Sequence, residues 1–201
     1  MKRSLYFTLV FLFFSKISVS TQDCAVPKMP NEFKLVEKVI SLTTAFELKS
    51  KNGDLGTVTE KLISLTTTFT YKDDKGGMVA TAKEALISWG TRIDVYDCKD
   101  RLIGTLQEKV FKSLFKAHTN YSILDAQGNE IAISEKLDLL ATSITLSGKD
   151  GSVFVELKRP MFNLFSDTWN IKVHPKNTVD FRIIVIVAAF KTAADNERAD
   201  D

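Results

Sequence analysis

The sequence predicts a mainly β fold: a closed antiparallel barrel of about twelve strands, with a hydrophobic C-terminal helix buried through its centre. Three observations lead to this prediction. Short segments repeat at an offset of 23 residues, apolar and polar residues alternate around glycine-containing turns, and one apolar run near the C-terminus does not alternate. Serial β-hairpins explain the first two observations, and a buried helix explains the third.

The repeat is the strongest internal signal. Residues 37–46 read EKVISLTTAF and residues 60–69 read EKLISLTTTF, so eight of ten residues are identical. A looser third copy places Leu86 24 residues after Leu62. A period of this length first suggests a solenoid. Each unit here contains a turn between alternating residues, however, which is typical of a β-hairpin.

Alternation places one set of apolar residues on a common face of successive strands. Its members are Phe46 and Leu48, Phe69 and Tyr71, Ile93 and Val95, Tyr121 and Ile123, Ile131 and Ile133, Ile144 and Leu146, then Val153, Val155 and Leu157. A late strand has Trp169, Ile171 and Val173 inward, with Asn170, Lys172 and His174 outward. A sheet of this size stacks or closes, and closure removes its exposed edges.

The apolar run from Phe181 to Phe190 is the candidate helix. Its β-branched centre favours a strand, but the absence of alternation and the alanines that follow favour a helix. A helix that is apolar all round must be buried all round, and this one is too short to span a bilayer. We expect it to begin after Thr178 or Asp180. The residues expected to be buried are Ile183, Ile184, Val185, Ile186, Val187 and Phe190.

The N-terminus resembles a secretory signal peptide. Lys2 and Arg3 precede an apolar stretch over residues 5–14, and the small residues Ser18 and Ser20 follow it. We expect cleavage after Ser20 and a secreted protein, with retention in the secretory pathway as the alternative. An uncleaved anchor is disfavoured because a membrane-spanning helix needs about 20 apolar residues.

The domain organisation follows from these segments. We expect a signal peptide over residues 1–20, an N-terminal tail over 21–32, the barrel over 33–195 and a charged tail over 196–201. Residues 21–201 carry 24 basic and 25 acidic residues, so the folded part is nearly neutral. A neutral domain lacks the basic footprint that nucleic-acid binding requires. We also expect a monomer, and no transmembrane span in the mature chain.

Two features depend on export. Cys24 and Cys98 are the only cysteines, and in an oxidising compartment they can form one disulfide bond. The alternative is a buried thiol at Cys98 and a free Cys24 on a frayed tail, since spacing alone does not bring two cysteines together. Asn120 begins the sequence Asn-Tyr-Ser, which matches the N-glycosylation sequon.

The chain resembles the LURP-one-related proteins of the tubby C-terminal-like fold. The resemblance runs from Phe33 to Asp195 and is carried by two serial units, over residues 46–64 and 69–88, followed by the hydrophobic segment over 181–190. It implies a twelve-stranded barrel threaded by a helix. Related tubby domains bind phosphoinositide head groups, and phospholipid scramblases share the fold. An apparent signal peptide sets this chain apart from those intracellular relatives.

No residue pattern indicates catalysis, a metal centre or a cofactor. The sequence has no nucleophile elbow, phosphate-binding loop or zinc-protease motif, and neither His118 nor His174 has an obvious partner for general base catalysis. Asp94, Asp97 and Asp100 recur every three residues but lack the ligand spacing of a calcium loop, so we expect turn positions.

The one local basic concentration supplies the candidate ligand-binding residues. They are Lys109, Lys112 and Lys116, near Lys99, Arg101 and His118. Such a cluster can bind an anionic head group or glycan, although spaced charges more often form a solvated face.

Three functional classes remain. The first is a secreted, non-catalytic module that binds a protein partner or an anionic lipid surface. The second is a lipid-handling protein that binds anionic phospholipid head groups, as the resemblance implies. The third, a carrier of apolar ligands inside the barrel, is opposed by the helix expected there.

Overall fold

The fold is described by a computed structural model of the chain. It describes residue 24 and residues 26–40, 43–63, 66–87, 90–109, 120–135, 142–160 and 168–199. The predicted signal peptide therefore lies outside the described residues.

Twelve strands form a closed barrel, which confirms the predicted fold class. Each strand pairs antiparallel with the next in the chain, and β12 pairs with β1 to close the barrel. The strands are β1 (Glu32–Ile40), β2 (Thr43–Ser50), β3 (Gly53–Ile63), β4 (Thr66–Lys72), β5 (Met78–Ile87), β6 (Gly90–Asp97), β7 (Leu102–Glu108), β8 (Tyr121–Asp125), β9 (Glu130–Glu135), β10 (Ser143–Ser147), β11 (Val153–Lys158) and β12 (Thr168–Val173).

The hairpin repeat has a common turn. In the turn after β6, Asp97 accepts hydrogen bonds on one carboxylate oxygen from the backbone N–H groups of Lys99 and Arg101, at 2.8 and 2.9 Å. Asp73 and Asp125 accept the corresponding pair of bonds in the turns after β4 and β8. The fourth residue has positive φ in the turns after β4, β6, β8 and β10, where it is Gly76, Asp100, Gly128 and Gly151. Of these four turns, the one after β6 has a residue other than glycine at this position, namely Asp100.

One irregularity in strand pairing recurs just before the hairpin turns. The register shifts after Leu48, Tyr71, Val95, Ile123 and Leu146. Bulges of this kind increase the local bend and twist of a strand. Their repetition at intervals of one hairpin helps the sheet to curve into a barrel.

Helix α1 (Phe181–Ala199) occupies the interior of the barrel. It packs against β1 and against β3 to β7, and every side chain from Ile183 to Ala189 is at most 1% exposed. Asp180 is the N-cap, because its side chain accepts a hydrogen bond of 2.9 Å from the N–H of Arg182. Phe190 differs from expectation in being only half-buried, because it lies farther along the helix and packs edge-on against Tyr121.

The helix continues past residue 195 with specific polar contacts. Asp195 accepts a hydrogen bond of 2.6 Å from Arg159 and also pairs with Lys191, while Asn196 donates a bond of 2.6 Å to Glu37. These contacts attach the C-terminal half of the helix to the barrel wall.

Strand β9 faces the opposite way from the alternation expected in the sequence. Ala132 and Ser134 are fully buried, whereas Ile131 and Ile133 are only partly buried. Ala132 lies opposite Ile123, which is also fully buried. The inward positions of β9 thus carry small side chains, and its isoleucines take the outward positions.

Candidate functional site

The predicted basic cluster is only partly described. Lys112 and Lys116 lie outside the described residues, as does His118. Lys109 is half-buried, and its Nζ lies 2.6 Å from Glu130 Oε2. Burial raises the pKa of Glu130, but hydrogen bonds from Lys109 and Ser122 outweigh it and hold that pKa below its usual range. The ammonium of Lys109 is thus already engaged with a carboxylate of the neighbouring hairpin.

A different basic surface lies on the outer wall of the barrel. A groove of about 570 Å³ crosses the outer faces of β11, β12, β1 and β2. Five exposed lysines and two glutamates line it: Lys34, Lys49, Lys51, Lys158, Lys172, Glu32 and Glu156. We call this surface the lysine groove.

Strand register arranges the groove residues in two rows. In the first, Lys158 lies opposite Asn170, Asn170 opposite Lys34, and Lys34 opposite Lys49. This row contains three lysines and no acid. In the second, Lys172 lies between Glu156 and Glu32, so the charges alternate.

Three groove lysines are paired with carboxylates. Lys49 lies 2.8 Å from Glu47, Lys158 2.6 Å from Glu156 and Lys51 3.2 Å from Glu32. Within the described parts of the chain, Lys34 and Lys172 have no carboxylate within 4.0 Å. In the first row, Lys34 is therefore a lysine with no described carboxylate within 4.0 Å. Lys49 lies directly opposite it on one side, and Lys158 lies on the other side, beyond Asn170.

Two of the carboxylates that pair with groove lysines, Glu47 and Glu156, have lowered pKa values. Hydrogen bonds from Lys38 and then Lys49 lower the pKa of Glu47. Hydrogen bonds from Lys158 and then His174 lower the pKa of Glu156. Both carboxylates are thus stabilised in the ionised form by the cations beside them.

His174 has a partner that the sequence did not reveal. Its Nε2 lies 2.8 Å from Glu156 Oε1, because Val155 on β11 lies opposite Val173 on β12. The pair is half-exposed beside the lysine groove. It adds a hydrogen-bonding group there, supplied by a partner that was not obvious in the sequence.

Two of the three regularly spaced aspartates, Asp94 and Asp97, have different partners. Asp94 binds Arg92 and Thr105, at 2.9 and 2.7 Å, whereas Asp97 binds the turn after β6. Within the described ranges, no group of three or more His, Cys, Asp and Glu residues is placed to hold a metal ion.

The two cysteines are joined. Cys24 and Cys98 form a disulfide bond with their Cα atoms 5.6 Å apart, so the N-terminal tail is tied to the turn after β6. A second surface cavity of about 560 Å³ lies beside this bond. Two of its cations are already neutralised, since Arg101 pairs with Asp97 and Arg182 with Asp180.

The chemistry of the lysine groove suits the binding of anions. Lysine ammonium groups attract anions and donate hydrogen bonds, and the amide of Asn170 both donates and accepts. Sequence reasoning missed it because its residues are dispersed over more than 130 positions and only strand register brings them together. The outward positions predicted for Asn170 and Lys172 were the one available signal.

Among the described helices, none is long and apolar enough to cross a membrane.

Comparison with known proteins gives one family and one fold. No curated protein matches the chain. A solved X-ray structure of an Arabidopsis thaliana protein matches with a TM-score of 0.54 and 16% identity, covering 84% of this chain and 93% of that one. At this identity the likeness shows the fold alone. The family model described as LURP-one-related matches residues 32–190, so the chain belongs to the LURP-one-related family.

Proposed function

We propose that this chain is a secreted, non-catalytic binding module that recognises its ligand on the outer wall of the barrel. The observation that carries the proposal is the filled interior, where residues 183–189 of α1 are at most 1% exposed. A carrier of apolar ligands needs an open cavity at that place. Among the described residues, the lysine groove offers an outer surface for recognition.

Three features support export. The N-terminal segment has the charge, length and small residues of a signal peptide. The disulfide bond between Cys24 and Cys98 is typical of oxidising compartments. The sequon residue Asn120 is partly accessible at the start of β8 and is a candidate for glycosylation.

Expression of the full chain in a eukaryotic secretory host tests the proposal. We expect protein in the medium that begins at Thr21, contains no free thiol and loses mass on treatment with an N-glycosidase. A variant lacking residues 5–14 is the matched control and should stay in the cell. Cytosolic protein with Met1 intact and both thiols free would refute export.

A second candidate function is binding of anionic phospholipid head groups, and the lysines of the groove favour it. Lysines near an anionic membrane contribute about 1 kcal/mol each before screening by salt. Sedimentation with phosphatidylserine vesicles distinguishes the candidates. The binding module should adsorb weakly and only at low salt, whereas binding that survives physiological salt would favour the lipid function.

Variants assign any adsorption to one of two surfaces. Changing Lys112 and Lys116 together to Glu should abolish it if the cluster predicted from the sequence is responsible. Changing Lys34 and Lys49 to Gln should abolish it if the lysine groove is responsible.

A further inference from the structure

We propose that the lysine groove binds an acidic polysaccharide, meaning a glycan chain with repeated sulfate or carboxylate groups. The inference rests on the proposed function, because it names the ligand class of a secreted binding module. It is carried by the arrangement of charge, the hydrogen-bonding groups and the shape of the groove.

The arrangement of charge is unfavourable in the free protein. Lys34 and Lys49 lie directly opposite each other on β1 and β2, and both are exposed on the outer face. Like charges at opposed positions of an antiparallel pair destabilise the sheet. Glu47 compensates Lys49, but no described carboxylate lies within 4.0 Å of Lys34. A bound anion would neutralise this pair.

The length of the row suits a ligand with several anionic groups. Lys158, Lys34 and Lys49 lie on three of four adjacent strands. Adjacent strands are about 4.8 Å apart, so the row spans roughly 14 Å. A single small anion reaches only part of this span, whereas a chain lying across the strands can contact all three ammonium groups.

The neutral members of the groove suit a sugar. Asn170 lies in the row between Lys158 and Lys34, and its exposed amide offers both a donor and an acceptor to hydroxyl groups. Sugar hydroxyls between anionic groups can use this amide, whereas the Ser50 hydroxyl in the lining already donates to the Gly53 carbonyl and accepts from the Asn52 N–H.

Two other polyanions fit less well. Peripheral membrane binding commonly inserts exposed apolar side chains, and the large exposed apolar residues in the described ranges, Val26, Met78 and Val153, do not line the groove. Single-stranded nucleic acids stack their bases on exposed aromatic rings. The aromatic residue of the groove lining, Phe33, is only 3% exposed.

The test measures binding of two defined probes to the purified protein with its disulfide bond intact. Isothermal titration calorimetry at about 0.15 M salt uses a heparin hexasaccharide as the sulfated probe and a hexagalacturonide as the carboxylated probe. A neutral dextran oligosaccharide is the control ligand. The paired variant is Lys34→Gln with Lys49→Gln. Its matched control is Lys61→Gln with Lys72→Gln, two exposed lysines on β3 and β4 outside the groove.

We expect binding of at least one acidic probe and none of dextran. The groove variant should lose about tenfold in affinity, because two exposed charge contacts with the ligand are removed, and the control variant should change little. Binding of heparin identifies sulfate as the recognised group, and binding of the galacturonide identifies carboxylate. Binding that the groove variant retains would overturn the proposal, as would binding to phosphatidylserine vesicles with neither probe bound.

Failure of this inference is distinguishable from failure of the proposed function. Secreted, disulfide-bonded protein that binds neither probe overturns only the polysaccharide inference. Cytosolic protein that binds a probe through the groove overturns export and leaves the site intact. The melting temperature of the groove variant should not fall, because the substitutions remove a like-charge pair; a large fall would show that the lysines are structural.

Discussion

The indole Nε1–H of Trp169 donates a hydrogen bond of 2.8 Å to Oγ1 of Thr192 and so joins β12 to the buried helix. Both side chains are fully buried. The Thr192 hydroxyl donates in turn to the carbonyl of Ala188, at 3.1 Å. The Arg159 guanidinium lies 4.8 Å from the centre of the indole ring and also binds Asp195. These hydrogen bonds thus form a polar connection between the barrel wall and the helix inside an apolar core.

Thr192→Val should lower the free energy of unfolding by about 2 kcal/mol, because it leaves a buried indole N–H without an acceptor. Thr192→Ser keeps the hydroxyl and is the matched control. Urea unfolding followed by tryptophan fluorescence measures both. Equal stability of the valine and serine variants would mean that the hydrogen bond makes no net contribution.

Ile184→Asp should prevent stable folding. Residue 184 is fully buried, and an unpaired carboxylate there costs several kcal/mol, a large share of the stability of an ordinary domain. Ile184→Val removes one methylene and should cost about 1 kcal/mol. Thermal melts of the two variants test the helix position, since an unchanged melting temperature for the aspartate would place the helix on the surface.

Asp100→Gly should stabilise the protein by about 1 kcal/mol, because Asp100 has a φ of 56° where the other turns have glycine. Gly128→Ala is the reciprocal change in the turn after β8, where φ is 84° and no atom within 4 Å would meet the added Cβ. It should destabilise by a similar amount. Chemical denaturation of both variants measures the effect, and shifts in the same direction would contradict it.

Asp97 should contribute to acid sensitivity. Burial raises its pKa, but hydrogen bonds from Arg101 and Lys99 outweigh burial, and the net shift is downward. A carboxyl with a lowered folded-state pKa stabilises the protein above its unfolded pKa of about 3.9, and this contribution is lost as pH falls through the folded value. Asp97→Asn should therefore reduce stability at pH 7 and weaken the pH dependence below about pH 4. Parallel pH profiles for variant and wild type would refute this.

Removing the disulfide bond by changing Cys24 and Cys98 to Ser should lower stability by about 2–4 kcal/mol, because the bond closes a long loop in the unfolded chain. The cysteines are 74 positions apart. The barrel should persist, since the bond holds the tail and lies outside the strand ladder. Far-UV circular dichroism and melts of the double variant test both points, and loss of the β signal at 25 °C would contradict the second.

The fold was predictable because its signals are local. The alternation through Phe46 and Leu48, the glycines in the turns and the unbroken run after Phe181 each reflect a single strand, turn or helix. The direction of β9 was not predictable in the same way, because its inward side chains are Ala132 and Ser134, while the larger Ile131 and Ile133 face outward. Apolar character alone does not decide which face of a strand points inward.

The lysine groove was not predictable by the same reasoning. Lys34 and Lys158 are 124 positions apart and lie in one row only because Asn170 pairs with both. Lys109 lies in a basic stretch of sequence, yet its partner Glu130 belongs to the next hairpin. Local clustering of charge in the sequence therefore does not reveal a surface that strand pairing assembles from distant residues.

The position of the helix at the end of the chain has a consequence for biosynthesis. All twelve strands leave the ribosome before the segment that fills their interior, and the closing pair joins Glu32 to Lys172 across 140 positions. Native pairings of such long range form slowly, and incomplete sheets expose apolar surface. We expect a chain truncated after residue 179 to bind hydrophobic dyes and to aggregate, whereas a separately supplied peptide of residues 180–199 should suppress both effects. The barrel would then reach its native state only after residues 180–199 have been synthesised, so until that point it depends on protection from outside itself.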